Sequence, residues 1–106
     1  DLITNTHTTS TTSTEIIDTF GLSDARSAKY MVQIEVIGES NLFQVSEVLM
    51  VHNGSASFVS ETNVVTSDSR VANISSDVSN GAVRLKVAPI SSVNLKTKFS
   101  RLTLSN

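Results

Sequence analysis

Residues 28–38 read AKYMVQIEVIG, and their alternation decides the architecture. Ala28, Tyr30, Val32, Ile34 and Val36 share one parity, while Lys29, Gln33 and Glu35, joined by Met31, share the other. Apolar residues two apart line one face of an extended strand, whereas a helix needs spacings of three and four. The stretch predicts a half-buried β-strand, closed by Gly38 and the turn-forming residues GESN. Downstream, LFQVSEVLMVH (42–52) runs into Asn53-Gly54, a pair that tolerates positive φ and signals a hairpin. SASFVSETNVVT (55–66) returns from it, and the polar SDS (67–69) breaks the chain.

RVANISSDVS (70–79) places Ala72, Ile74 and Val78 on one face before a second tight turn at Asn80-Gly81. AVRLKVAP (82–89) alternates Val83, Leu85 and Val87 inward with Arg84 and Lys86 outward. Pro89 ends this strand because it lacks a ladder donor. SVNLKTKFSRLTL (92–104) puts Val93, Leu95 and Phe99 on one face with Lys96 and Lys98 opposite. Leu102 and Leu104 then fall out of phase, which predicts a bulge near Ser100. Upstream, EIIDTF (15–20) begins the series. The expected fold is all-β: an antiparallel sandwich of about seven strands, jelly-roll or Ig-like, spanning 15–106. Mainly Val, Ile, Leu and Phe face inward, enough to fill a two-sheet core without a ligand cavity.

Residues 1–14, mostly Ser and Thr, bury too little apolar surface to order alone. They are expected to form an extended arm or linker: either a flexible lead-in or a tether adding as an edge strand to a neighbouring chain.

The totals agree with one domain. The chain has 106 residues, 39% hydrophobic and 17% charged, no Cys or Trp, one Pro and a net charge of −2. Abundant Val, Ser and Thr favour strands over helices. Without cysteine there is neither a disulfide framework nor a thiolate zinc site. The weak net charge gives no reason to expect nucleic acid or membrane as a partner. No apolar run approaches the roughly 18 residues of a membrane span, and the polar start lacks a signal-peptide pattern. A first residue of Asp fits a processed product or the ordered part of a longer chain.

The case for chemistry rests on SEVLMVHNGS (46–55). Glu47 shares parity with Phe43, Val45, Leu49 and Val51, so burial among them would raise its pKa and suit a general acid. Three structural readings compete: a bulge at Ser46-Glu47 that returns Glu47 to solvent and sends Val48 and Met50 inward; a pairing with Arg26 or Arg84; or a strand buried on both faces with Glu47 at a subunit contact. The first is favoured. His52 reads as a hairpin-end histidine bonded to its own turn, since His7 offers it no metal-ligand spacing. No serine sits in a nucleophile elbow, and the four glycines are scattered at turns. No catalytic, metal-binding or cofactor-binding residues are expected. Asn53-Gly54-Ser55 and Asn73-Ile74-Ser75 match the glycosylation pattern, as chance allows in so Ser-rich a chain.

Charge is uneven. Every Asp and Glu lies at or before Asp77, and Arg84, Lys86, Lys96, Lys98 and Arg101 follow it. If the strands at 82–89 and 92–104 pair through APISS (88–92), Arg84, Lys86, Lys96 and Lys98 share one face. That face is either solvated and edge-blunting, or a seam for an acidic neighbouring subunit presenting Glu35, Glu39 or Asp68. With Thr8, Thr9, Thr11 and Thr12 of the arm, these four cations make the candidate interface.

RSAKYMVQI (26–34), EVLMVHNG (47–54), NGAVRLKVAP (80–89) and VNLKTKFSRL (93–102), in that order, resemble the small β-sandwich domains of tailed-phage structural proteins, especially of cyanophage type. Asn53 stands where those domains usually carry Asp, and 61–70 lacks their Tyr-Gly turn. The resemblance implies a non-enzymatic virion structural protein: capsid decoration, fibre, neck or tail component, made in the host cytoplasm and carried in the particle. Its expected partners are other virion proteins and copies of itself, with a trimer favoured, and neither nucleic acid nor membrane. A host-surface or carbohydrate-binding adhesion module at a fibre tip is the alternative, although exposed aromatics for stacking on sugars are scarce. A small hydrolase using Glu47 and His52 is the third class.

Overall fold

The computed structural model describes residues 2–39, 41–90 and 94–105. They form eight strands: β1 (Leu2–Thr9), β2 (Glu15–Gly21), β3 (Ser27–Val36), β4 (Phe43–His52), β5 (Ser57–Thr66), β6 (Ala72–Ser79), β7 (Ala82–Pro89) and β8 (Leu95–Leu104). There is no helix among the described residues. Two antiparallel sheets result, a five-stranded one in the order β1-β8-β3-β4-β5 and a three-stranded one in the order β2-β7-β6. The expected two-sheet, all-β architecture is present, with one strand more than the seven predicted.

β3 keeps its predicted phase. Ala28, Tyr30, Val32, Ile34 and Val36 are buried, and they meet Val83, Leu85 and Val87 of β7 in one core with Leu95 and Phe99 of β8. The Tyr30 and Phe99 rings lie 5.8 Å apart and tilted, a favourable aromatic geometry.

The eighth strand is β1, within the stretch predicted to be an arm. It pairs with β8 of its own chain from Leu2↔Leu102 to Thr9↔Leu95. Thr is β-branched and suits a strand, and Thr9 is buried. His7 ties the strand to the second sheet, with its Nε2 2.9 Å from Glu15 Oε1. This segment orders by joining a sheet already built, so its own lack of apolar surface is no obstacle.

The two hairpin signals behave differently. Asn80 and Gly81 have φ of 50° and 77°, a two-residue turn between β6 and β7. Asn53 stays out of the left-handed region, and only Gly54 enters it, at φ 95°. The β4–β5 connection spans 53–56 instead, and Asn53 Oδ1 accepts bonds from the Ser55 and Ala56 amides at 3.0 and 2.8 Å.

The alternation of β8 does not shift at Ser100. Its register with β3 is continuous from Leu95 to Leu104. Arg101 therefore occupies an inward position, while Leu102 and Leu104 face solvent. Val93, expected on the inward face, lies outside the described residues.

Candidate interface

Strands β7 and β8 do not pair. The chain crosses from the three-stranded to the five-stranded sheet between Pro89 and Leu95. Since Val83, Leu85, Leu95 and Phe99 all point into the shared core, the cations alternating with them point away from it in opposite directions. Arg84 and Lys86 lie on the outer face of one sheet, Lys96 and Lys98 on the outer face of the other. The condition for a four-cation seam is not met.

Three of these cations are also ion-paired within the chain, two of them to one carboxylate. Asp77 on β6 lies directly opposite Arg84. It accepts bonds from Arg84 Nε and Nη2, both at 2.6 Å, and from Lys86 Nζ at 2.9 Å. The Arg84 guanidinium and then Lys86 hold its carboxyl well below the usual carboxylate range. Lys96 Nζ lies 3.3 Å from Glu35 of the adjacent β3. Lys98 has no ion-pair partner among the described residues. It lies beside Thr6 at a shallow depression of about 600 Å³, lined also by Thr4, Asn5, Met31, Gln33, Phe99 and Ser100.

The four threonines separate too. Thr8 faces solvent opposite Lys96, Thr9 is buried, and Thr11 and Thr12 are exposed in the β1–β2 connection. Only Thr8 and Lys96 are brought side by side.

Glu47 faces solvent, with Val48 and Met50 inward. The bulge that accompanies this phase lies in β5 rather than β4. Between the Val45↔Val65 and Glu47↔Thr62 pairs β5 has the extra residue, and Asn63 there adopts φ 54°. Asn63 Nδ2 donates to Glu47, and Lys29 Nζ lies 3.3 Å from it. Those contacts, Asn63 first, lower the Glu47 pKa, opposite to the rise a general acid would need. Its cation is Lys29, not Arg26 or Arg84.

His52 sits on the other face of β4, buried, with both ring nitrogens engaged. Nδ1 accepts from the Gly54 amide at 3.1 Å, which leaves Nε2–H to donate to Ala25 O at 2.7 Å. It bonds its own turn as expected. Glu47 and His52 thus point to opposite sides of one strand.

A polar cluster between the sheets was not anticipated. Asp18 Oδ2 accepts from the Tyr30 hydroxyl at 2.7 Å and from Arg101 Nη1 at 2.8 Å. The Asp18 and Arg101 side chains are only 8% and 13% exposed, and the guanidinium lies 5.2 Å from the Phe20 ring centroid. A bulge in β2, between Ile16↔Lys86 and Asp18↔Leu85, turns both Ile17 and Asp18 inward. Burial, and then the neighbouring Asp18 carboxylate, push the Tyr30 hydroxyl well above its ordinary range. The only sequence signal was the out-of-phase end of β8, which reads as a bulge until Asp18 is known to face Arg101.

β4 carries a second missed signal. Phe43, Leu49 and Val51 on its outer face are exposed, while polar Gln44 and Ser46 face inward. Gln44 is buried because its amide replaces missing ladder bonds. Oε1 accepts from the Val71 amide at 2.8 Å, and Nε2 donates to Ala72 O at 3.2 Å.

No protein-family model matches the sequence, and no curated protein resembles it in sequence. Among solved structures, the chain is similar to the tailspike protein of Acinetobacter phage vB_ApiP_P1, with a TM-score of 0.64 and 14% identity over 97% of this chain and 21% of that one. It is also similar to the tailspike protein of Acinetobacter baumannii phage AM24, with a TM-score of 0.50 and 10% identity over 99% of this chain and 27% of that one. The chain thus spans roughly a fifth to a quarter of the length of these proteins. At such identities the likeness is one of fold: the chain folds like a domain-sized portion of two phage tailspike proteins.

Proposed function

We propose that this chain is a non-enzymatic structural module of a tailed-phage tail or fibre, acting through contacts with other virion proteins and with copies of itself. The observation that carries the reading is the fold likeness to a phage tailspike protein over nearly the whole chain. Decoration and neck roles drop behind tail and fibre on that basis. The arrangement of Glu47 and His52 supports a role without catalysis. One carboxylate is held ionised at the surface, and one imidazole has both nitrogens committed to the backbone on the opposite face.

The location implied is the virion. Immunogold electron microscopy of purified particles, with antibody raised against this domain, should label the tail or its fibres. Particles that carry no label anywhere would refute the reading.

One observation favours recognition of a host glycan instead: the shallow depression where Thr4, Thr6, Gln33 and Ser100 lie beside Lys98 and the exposed Met31. Its lining offers hydrogen-bond donors and acceptors in the pattern a sugar would use. Binding on a glycan array that is abolished by Gln33→Ala would move the assignment there.

A further inference from the structure

We infer that one end of the outer face of the five-stranded sheet is a self-association surface, buried against the same surface of further copies of this chain. The inference rests on the structural-module reading and names where its contacts lie. Two neighbouring rows cross the sheet there. In the first, Leu104 on β8, Ser27 on β3, Val51 on β4 and Phe58 on β5 stand side by side. In the second, Leu2 on β1, Leu102 on β8, Lys29 on β3 and Leu49 on β4 do the same. The six large apolar side chains of these rows are each between 42 and 66% exposed. An outer sheet face on a solitary domain carries polar residues at such positions.

The strip is shaped as well as apolar. Ser27 is the small residue between Leu104 and Val51. A hollow of about 400 Å³ lies on the Leu49–Val51–Phe58 side, and one of about 210 Å³ lies on the Leu102–Leu104 side. Ridges and hollows alternate across the rows, as interdigitating sheets require. β4 fits the same account. Its outer Leu49 and Val51 and its inner Val48 and Met50 give it the composition of a strand covered on both faces.

The occupant follows from area and charge. Taking roughly 150–200 Å² for a side chain of this size, the strip offers on the order of 600 Å². Two such strips bury about 1,200 Å² together, above the ~1,000 Å² that a specific interface needs. The one charged residue in the rows, Lys29, is matched within the chain by Glu47 at 3.3 Å. The strip therefore presents no unbalanced charge to select an acidic or basic partner. An uncharged apolar surface is complementary to itself, which is what a two-fold symmetric contact demands.

Sedimentation equilibrium of the chain from micromolar to millimolar concentration tests this. Wild-type mass should rise from 11.4 kDa to a fixed small multiple. Assembly should persist or tighten in 0.5 M sodium sulfate, which strengthens apolar burial. Leu49→Glu with Leu102→Glu should weaken assembly by about a hundredfold or more. Thr6→Glu, on the polar end of the same sheet face, should leave it unchanged. All three substituted sites are exposed, and the buried ring of Tyr30, the only tyrosine, reports by near-ultraviolet dichroism that each variant is folded. A wild-type chain that stays at 11.4 kDa at millimolar concentration overturns the inference, whether the strip then binds another virion protein or nothing. So does an assembly that survives the double substitution. A monomeric chain found on labelled particles would sink this surface alone; an assembling chain absent from particles would sink only the virion role.

Discussion

At Asp18 two donors from different strands converge on one carboxylate oxygen. Removing the acceptor leaves the Arg101 guanidinium buried without its counter-charge and the Tyr30 hydroxyl without a partner. Asp18→Ala should cost about 3–5 kcal/mol, read as a lowered urea midpoint with an unchanged slope. A loss within the roughly 0.5 kcal/mol of an ordinary surface substitution would mean that the cluster bears no load. Tyr30 gives a second measurement, because the chain has no other tyrosine. Its folded-state pKa is raised, so its contribution to stability is full below the unfolded value of about 10 and drains away as pH rises beyond it. Phenolate absorbance near 295 nm should therefore appear only as the fold is lost. The Tyr30→Phe variant should lose part of this alkaline sensitivity. At this scale the sequence was legible for Tyr30, whose parity marked it as inward, and illegible for Arg101. A charged residue reads as outward unless its partner is known, and Asp18 lies 83 positions away.

Among the elements, β1 separates most clearly what a segment can do alone from what it does in a sheet. In isolation its Thr-rich sequence has little reason to order; against β8 it gains a full antiparallel ladder. Deleting residues 1–9 should lower the thermal midpoint and expose the β8 edge, whose unpaired amides and carbonyls would promote aggregation. An unaltered midpoint would instead mean an independent arm. The β4–β5 pair shows how close a sequence reading can come. The outward Glu47 and the inward Val48 and Met50 are as expected, but β4 reaches them in one unbroken phase with Gln44 and Ser46 inward, and the bulge at this level is not its own. It lies one strand over, at Asn63, because β5 is an edge strand, free to absorb the extra residue. β4 is hydrogen-bonded on both sides, so a bulge there would disrupt two ladders. The Asn-Gly turns teach a similar lesson: the dipeptide marked both connections, and loop length chose between backbone and side-chain stabilisation.

For the whole molecule, the crossing of the chain between sheets after Pro89 governs the rest. It separates Arg84 and Lys86 from Lys96 and Lys98 by the thickness of the core, and it brings β8 between β1 and β3. The five-stranded sheet therefore joins the two ends of the chain, with Leu2 opposite Leu102. Such pairings must wait for loop closure over nearly the full length. Refolding followed by the near-ultraviolet signal of Tyr30 should accordingly take milliseconds to seconds. Completion in microseconds would contradict the central position of β8.

The sequence by itself determined the strands, their turns and the inward faces of β3 and β7, because a period of two is a local property that each strand carries alone. Only the tertiary structure decided which sheet each strand entered, that β1 joined a sheet of its own chain, and that an arginine belonged inside. Those outcomes depend on partners remote in the chain, whose packing and charge no single segment contains.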